Sequence, residues 1–200
     1  YELGIKNIAQ AVNELRDKID GDCIKGLAGM AGLSVVGNAP EVAATISSMV
    51  GNIPTRAITD SLLALYNGLE GADGALVIAG TGSVVNGRQN GSLIAVGGYG
   101  SLLGDEGSGY AITKAALQAA LLSWDKREKN SLIDLFVKEF NVDNMGEVPA
   151  KFYNLTSPEV ASKAVKVAKL ADNGDEDARK IIADQAHLLA RDIIMCLDRY

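Results

Sequence analysis

The sequence has few of the residues on which most metal, redox and disulfide sites depend. It contains one histidine and two cysteines among 200 residues. No group of histidines and cysteines has the spacing of a metal site, and a Ser-His-Asp triad would have His187 as its single candidate base. We interpret His187 as a residue on the surface of a helix.

The two cysteines are predicted to be structural. Cys23 begins a strand-like apolar run, and Cys196 lies on the apolar face of a predicted helix. Free cysteine behaves as a small apolar residue, so both are expected to be buried thiols. Such sparse use of cysteine is typical of a reducing compartment, and we expect a cytoplasmic protein.

Other shortages restrict the class of protein. No apolar run is long enough to cross a bilayer. Acidic residues outnumber basic ones, 25 against 19, which gives a formal net charge of −6. Nucleic-acid binding depends on clustered lysine and arginine, so neither a nucleic acid nor a membrane is expected as a partner. The sequence has no G-x-x-x-x-G-K-[ST] motif and is therefore not a P-loop protein.

Apolar patterns predict an α/β protein with two domains. Over residues 1–72 helical and strand-like segments alternate, beginning with a helix from Glu2 to Ile19, which indicates a parallel layer. Residues 73–200 begin with "GALVIAG", "SVVNGR" and "SLIAVGG", three short strands joined by tight turns. Asn90-Gly91 is a strong hairpin signal, so an antiparallel meander is predicted there. Helices follow from Ser108, and one of them is expected to have Ser157 as its cap.

Asp60 comes directly after the apolar run of "NIPTRAITD". In open α/β sheets ligands bind at the carboxyl ends of strands, so a carboxylate there could accept the proton of an attacking hydroxyl. The alternative is that Asp60 only caps the helix that begins at Ser61. The residues by themselves leave both roles open.

Two glycine-rich stretches of the second domain favour ligand binding. The turn Gly80-Thr81-Gly82-Ser83 joins two predicted strands, and its backbone amides and hydroxyls could bind phosphate, although a plain hairpin turn is the alternative. The stretch "GGYGSLLGDEGS" places backbone close to a ligand at Gly98, Tyr99 and Gly100. The Tyr99 ring offers a face to a sugar, and Asp105 can accept hydrogen bonds from vicinal hydroxyls or help to cap a helix.

These motifs together resemble the N-acetylglucosamine kinase and BadF/BadG/BcrA/BcrD ATPase family, part of the actin, Hsp70 and sugar-kinase superfamily. The resemblance covers most of the chain and depends on Gly80–Ser83, Gly97–Gly100, Gly104–Ser108, "GLAG" at Gly26–Gly29, and Asp60. It implies a ribonuclease-H-like, actin-like ATPase fold with an ATP-binding cleft between two α/β domains. It also implies ATP-dependent phosphorylation of an amino sugar such as N-acetylglucosamine, with Mg²⁺ accompanying ATP.

The resemblance assigns roles to single residues. Asp60 matches the base that contacts the sugar hydroxyl, and Thr81 matches the threonine of the second phosphate loop, with Gly80, Gly82 and Ser83 around it. Substrate-binding positions match Gly98, Tyr99, Gly100 and Asp105, and Ala171 falls near a nucleotide contact. The sequence departs from the family at Thr59, where asparagine is more frequent, and at Tyr99, where many members have tryptophan.

The resemblance also implies that parts of the family fold are missing. The family begins with a strand, a D-G-G-x-T-K-T phosphate loop and two more strands, and it ends with an adenosine-binding turn and further strands. We therefore expect a partial N-terminal domain over 1–72, a C-terminal domain over 73–200 without its final strands, and a fold incomplete at both termini. The chain alone is expected to lack kinase activity and to bind ATP poorly. Its open strand edges are expected to be covered by self-association into homo-oligomers or by a separate N-terminal segment.

Two other functions remain open on the residues. One is a BadF-type ATPase that couples ATP hydrolysis to a partner enzyme, such as a dehydratase activator with an iron–sulfur cluster. Cys23 and Cys196 are not clustered as an iron–sulfur site requires, which disfavours this function. The other is a sugar-sensing module without catalysis, which the presence of both Asp60 and Thr81 disfavours.

Overall fold

Helices and strands alternate along the first part of the chain in the computed structural model, which describes residues 2–30, 32–33 and 38–199. The chain divides into two compact units, residues 1–72 and 73–200. The elements of the first unit are α1 (Glu2–Arg16), β1 (Gly26–Met30), α2 (Ala39–Met49), β2 (Thr55–Thr59) and α3 (Asp60–Leu69). The predicted alternation is confirmed, but α1 ends at Arg16 rather than at Ile19.

The two strands of the first unit are parallel, with Ala28 of β1 opposite Ala57 of β2. Helix α2 connects them, and its buried face carries Val42 and Ile46. Alternating elements of this kind bury their apolar faces between helices and sheet. The core formed in this way also includes Ile5, Ala9, Ala28, Met30, Leu33, Ala43, Val50, Ile53 and Ala57.

The second unit begins with the antiparallel meander that the sequence predicts. Strands β3 (Gly74–Ala79), β4 (Ser83–Gln89) and β5 (Ser92–Gly97) pair in that order. Asn90 and Gly91 form the two-residue loop between β4 and β5, with φ angles of 49° and 80°. Asparagine and glycine tolerate this left-handed conformation, which is why the dipeptide marks the hairpin.

Helices make up the rest of the second unit. They are α4 (Gly109–Lys126), α5 (Ser131–Phe140), a short 3₁₀ turn (Met145–Glu147), α6 (Val148–Phe152), α7 (Ser157–Ser162), α8 (Ala164–Asp172) and α9 (Glu176–Asp198). Fully buried Phe136, Leu132 and Met145 are in their common core. Helix α9 packs on the meander, where Cys196 contacts the buried face of Val85 and Val96. This packing fixes the strands that carry the candidate site.

Three residue-level predictions can be compared directly with the structure. Cys196 is buried and His187 is exposed, as predicted. Cys23 is exposed, so its predicted burial is wrong: it lies in the irregular segment before β1, which begins at Gly26. The cap of α7 is Thr156 rather than Ser157, since the helix starts one residue earlier than predicted.

No helix within the described ranges combines the length and hydropathy needed to span a bilayer.

Candidate active site

Asp60 lies where strand β2 ends and helix α3 begins, and its side chain is exposed. The helix is capped by Thr59, whose Oγ1 accepts a hydrogen bond from Leu62 N at 3.2 Å. The interpretation of Asp60 as the cap is therefore wrong, because the cap of α3 is Thr59, one position earlier. No hydrogen bond or ion pair joins the Asp60 carboxylate to the part of the chain that the structure describes. The carboxylate is thus available to a ligand.

The turn Gly80–Ser83 connects β3 to β4 and is anchored on the start of helix α4. Gly109 N donates to Gly80 O at 2.8 Å, and Tyr110 N donates to Thr81 O at 3.3 Å. Inside the turn, Gly80 N donates to Gly82 O at 2.8 Å. The first amides of a helix usually lack partners, so these bonds satisfy both elements at once.

Thr81 is at the exposed tip of this turn. Neither its hydroxyl nor the backbone amides of Thr81 and Gly82 find an acceptor among residues 2–30, 32–33 and 38–199. Amides of a glycine-rich turn that face solvent can bind an anion. The turn therefore offers a hydroxyl and two amide donors on a rigid support.

Ser83 has a different environment from Thr81, although both belong to the same turn. Its side chain is buried, and its hydroxyl donates to Glu106 O at 2.7 Å. This bond joins the first residue of β4 to the loop before α4. Its predicted contact with phosphate remains a prediction, and in this structure its hydroxyl proton is engaged within the protein.

Gly98, Tyr99 and Gly100 form an exposed loop after β5. Gly98 and Gly100 have φ angles of 71° and 86°, which few other residues adopt. A Cβ atom on Gly98 would also lie 2.9 Å from Val84 Cγ2. The Tyr99 side chain is 71% exposed, so one face of its ring is open to a ligand.

Asp105 joins this loop to the turn. Its Oδ1 accepts a hydrogen bond from Gly100 N at 3.3 Å. Its Oδ2 lies against Gly82, 2.6 Å from the position that a Cβ atom would occupy there. Within the second unit the structure thus brings together the predicted phosphate-binding turn, the predicted sugar-binding loop and Asp105, whereas Asp60 belongs to the first unit.

Ala171, the predicted nucleotide contact, lies in helix α8. Its side chain is 6% exposed and belongs to the core of the helices. Its carbonyl accepts hydrogen bonds from Gly174 N and from Arg179 Nε, at 3.0 and 2.9 Å. The nucleotide contact at this position stays a prediction, and the structure gives Ala171 a packing environment.

Two side chains that support the site could not be identified from the sequence. Gln185 on α9 accepts a hydrogen bond from Gly107 N at 2.9 Å, across a separation of 78 residues. Lys114 Nζ on α4 donates to Ser101 O at 3.3 Å. Both residues lie in ordinary polar positions of amphipathic helices, so no local pattern distinguishes them.

Metal ligands are not clustered in the described ranges, where no three His, Cys, Asp or Glu side chains are grouped to hold an ion. A magnesium ion often keeps several waters and binds through one or two carboxylates together with substrate phosphates. The exposed Asp60 carboxylate is compatible with that mode.

The fold and these loops are typical of the actin-like ATPase fold. A profile of the BadF/BadG/BcrA/BcrD ATPase family matches residues 2–200, and the chain belongs to this family. The resemblance on which the sequence prediction depends is confirmed.

Relatives agree with this assignment. An N-acetylmuramic acid/N-acetylglucosamine kinase of Clostridium acetobutylicum is 34% identical over an alignment of 136 residues, and the match covers 66% of this chain and 44% of that protein. A structure from Chromobacterium violaceum, described as an N-acetylglucosamine kinase, is 26% identical with a TM-score of 0.71. The alignment covers 86% of this chain and 60% of that one.

A second structure, also described as an N-acetylglucosamine kinase and from Porphyromonas gingivalis, has a TM-score of 0.67 at 20% identity, again over 86% of this chain and 60% of its own. At this identity it shows the fold alone. The predicted actin-like ATPase fold is confirmed. The chain spans less than half the length of the Clostridium relative and 60% of each structure.

Proposed function

We propose that the protein containing this chain phosphorylates an amino sugar such as N-acetylglucosamine with ATP. The observation that carries the proposal is that Asp105 contacts both the turn Gly80–Ser83, which we assign to phosphate, and the loop Gly98–Gly100, which we assign to the sugar. A kinase must bring a phosphate group and an acceptor hydroxyl to the same place, and this arrangement puts the two kinds of binding element side by side. The kinase relatives support it.

The phosphate role is assigned to the exposed tip of Gly80–Ser83. Thr81 contributes a hydroxyl, and Thr81 and Gly82 contribute amides that have no acceptor within the described ranges. Phosphoryl transfer depends on positioning and on stabilising the charge of the phosphates rather than on covalent chemistry by the protein. Mg²⁺ would supply part of that charge compensation when it is bound with ATP.

The sugar role is assigned to Gly98, Tyr99, Gly100 and Asp105. The exposed Tyr99 ring can pack on the apolar face of a pyranose. The Asp105 carboxylate can accept hydrogen bonds from sugar hydroxyls, because an ionised carboxylate has about four lone-pair sites and Gly100 N occupies only one of them.

Asp60 is proposed as the general base. It accepts the proton of the sugar hydroxyl while that oxygen forms a bond to the terminal phosphorus of ATP and the bond from that phosphorus to ADP breaks. Its exposed carboxylate at the end of β2, with capping left to Thr59, supports this role.

The experiment is a coupled assay of ADP release from the intact protein over a panel of amino sugars. Release that requires one amino sugar and yields its phosphate supports the proposal. ATP hydrolysis that does not depend on any sugar would instead favour an ATPase coupled to a partner. Sugar binding without ATP turnover would favour a sensing module.

A further inference from the structure

Gly82 lies so close to a neighbouring side chain that a Cβ atom there would displace it, and backbone conformation is not the reason. Its φ lies outside the left-handed region, unlike those of Gly98 and Gly100. A Cβ atom on Gly82 would lie 2.6 Å from Asp105 Oδ2 and 3.1 Å from Asp105 Cγ. The first distance is shorter than a real Cβ contact, so the end of the Asp105 side chain would have to shift if Gly82 were any other residue.

Asp105 is held on its other side as well. Its Oδ1 accepts the hydrogen bond from Gly100 N, and its own backbone has a φ of 62°, a conformation that aspartate tolerates better than most residues. The carboxylate is half-buried between the turn and the loop. The position of one carboxylate is therefore determined jointly by Gly82 and Gly100.

Gly80 is a natural comparison within the same turn. A Cβ atom on Gly80 would meet no heavy atom within 4 Å, and its φ is also outside the left-handed region. An alanine there is sterically allowed. The two glycines of one motif thus have different structural requirements.

We infer that Gly82 is a positioning residue for the sugar site, acting through Asp105, although it belongs to the turn assigned to phosphate. This inference deepens the proposed function and depends on it. Gly82 leaves room for the Asp105 carboxylate to stand against the turn while accepting the Gly100 amide. Sugar binding and the conformation of the phosphate turn are linked by this contact.

The test compares Gly82→Ala with Gly80→Ala in the intact protein. Displacement of the carboxylate should raise the KM for the amino sugar by about tenfold or more, since small misplacements of a binding group are costly. The KM for ATP should rise less than the KM for the amino sugar, because the substitution leaves the backbone amide of residue 82 in place. Gly80→Ala places no atom against Asp105 and should leave the KM for the amino sugar near its normal value. Thermal unfolding should show that both variants are folded.

A double substitution separates an effect through Asp105 from any other effect of the new methyl group. In an Asp105→Ala background the methyl group at position 82 has room, so Gly82→Ala should add little to the rise in the KM for sugar. Independent, additive effects of the two substitutions would overturn the inference. So would a Gly82→Ala variant whose KM for ATP rises as much as that for sugar.

A structural measurement keeps the inference distinct from the proposed function. The NMR resonance of the Gly100 amide proton should shift in Gly82→Ala, because its acceptor moves, and should stay in place in Gly80→Ala. An unchanged resonance in both variants would show that Gly82 does not position Asp105. If the unaltered protein phosphorylates no amino sugar, the proposed function fails, and the Gly100 resonance still decides whether the contact exists.

Discussion

At the scale of single residues, chemically similar neighbours differ in exposure and in hydrogen bonding. Thr81 and Ser83 both carry hydroxyls in one turn, yet Thr81 is exposed and Ser83 is buried with a hydrogen bond to Glu106 O. Thr59 and Asp60 are both good caps, yet Thr59 caps α3 and Asp60 does not. In each pair the residue without an internal partner is the one proposed to meet a ligand.

Alanine substitutions should separate the tasks of Thr81 and Ser83. Thr81→Ala should weaken ATP binding and leave the free energy of unfolding nearly unchanged, because its hydroxyl has no acceptor in the described ranges. Ser83→Ala should lower that free energy by about 1 kcal/mol, the usual net value of a hydrogen bond. Calorimetric titration with ATP and denaturant unfolding measure the two effects. Equal losses of ATP affinity in both variants would contradict this division.

The role of Asp60 has a similarly direct test. In the intact protein Asp60→Asn should lower kcat by roughly two to four orders of magnitude, the usual share of a general base. Its effect on unfolding should be small, because Thr59 holds the cap. Asp20→Asn, at another exposed carboxylate of the same unit, is the control and should leave kcat unchanged. Normal turnover by Asp60→Asn would exclude it as the base.

At the scale of elements, short helices of the second unit depend on their first turns. Helix α7 has six residues, too few to be stable by itself. The Glu159 carboxylate accepts hydrogen bonds from Thr156 Oγ1 and Thr156 N, at 2.6 and 2.7 Å. These two bonds lower the pKa of Glu159 below its ordinary value of 4.5, and the bond from the Thr156 side chain has the larger effect. The charge of nearby Lys163 lowers the pKa further.

This lowered pKa predicts how the start of α7 responds to acid. A carboxyl group whose pKa is lower in the folded state stabilises the fold above its unfolded pKa, and the contribution is lost as pH falls through the folded value. Glu159→Gln removes the ionisation and retains the shape. The difference in unfolding free energy between wild type and Glu159→Gln, measured by denaturant titration, should therefore be present near pH 7 and shrink below about pH 4. A difference that is constant over this range would contradict the assignment.

At the scale of the whole molecule, each compact unit has a core of its own. Ile46 is buried in the first unit, and Phe136 is buried in the second. A domain with its own core can in principle open by itself, so core defects should act first within the unit that contains them.

Substitutions in the two cores test this division. Phe136→Ala should cost about 3–5 kcal/mol and speed amide exchange in α4 and α5, with a smaller effect on β1 and β2. Ile46→Ala should show the reverse distribution. Tyr153→Ala removes an aromatic side chain that is 84% exposed and is the matched control, with little expected change. Exchange that quickens equally in both units would show a single cooperative structure.

The sequence by itself determined the order of the strands and the helices around them and the positions of the glycine-rich loops. Asn90-Gly91 marked its hairpin because a two-residue loop between strands needs two left-handed residues. Asp60 was correctly placed at the end of a strand, and the glycines of both loops were recognised because glycine is costly unless a turn or a ligand needs it. Local chemistry decides these features, so a local pattern reveals them.

Only the tertiary structure decided which of these residues contact one another. Thr59 rather than Asp60 became the cap of α3, and Cys23 became exposed. The contacts of Asp105 with Gly82 and of Gln185 with Gly107 join residues 23 and 78 positions apart in the chain. The helix start at Gly109 also packs on the turn, through the bond from Gly109 N to Gly80 O. No sequence pattern records such contacts, because they arise from the three-dimensional packing of elements and not from the preferences of neighbouring residues.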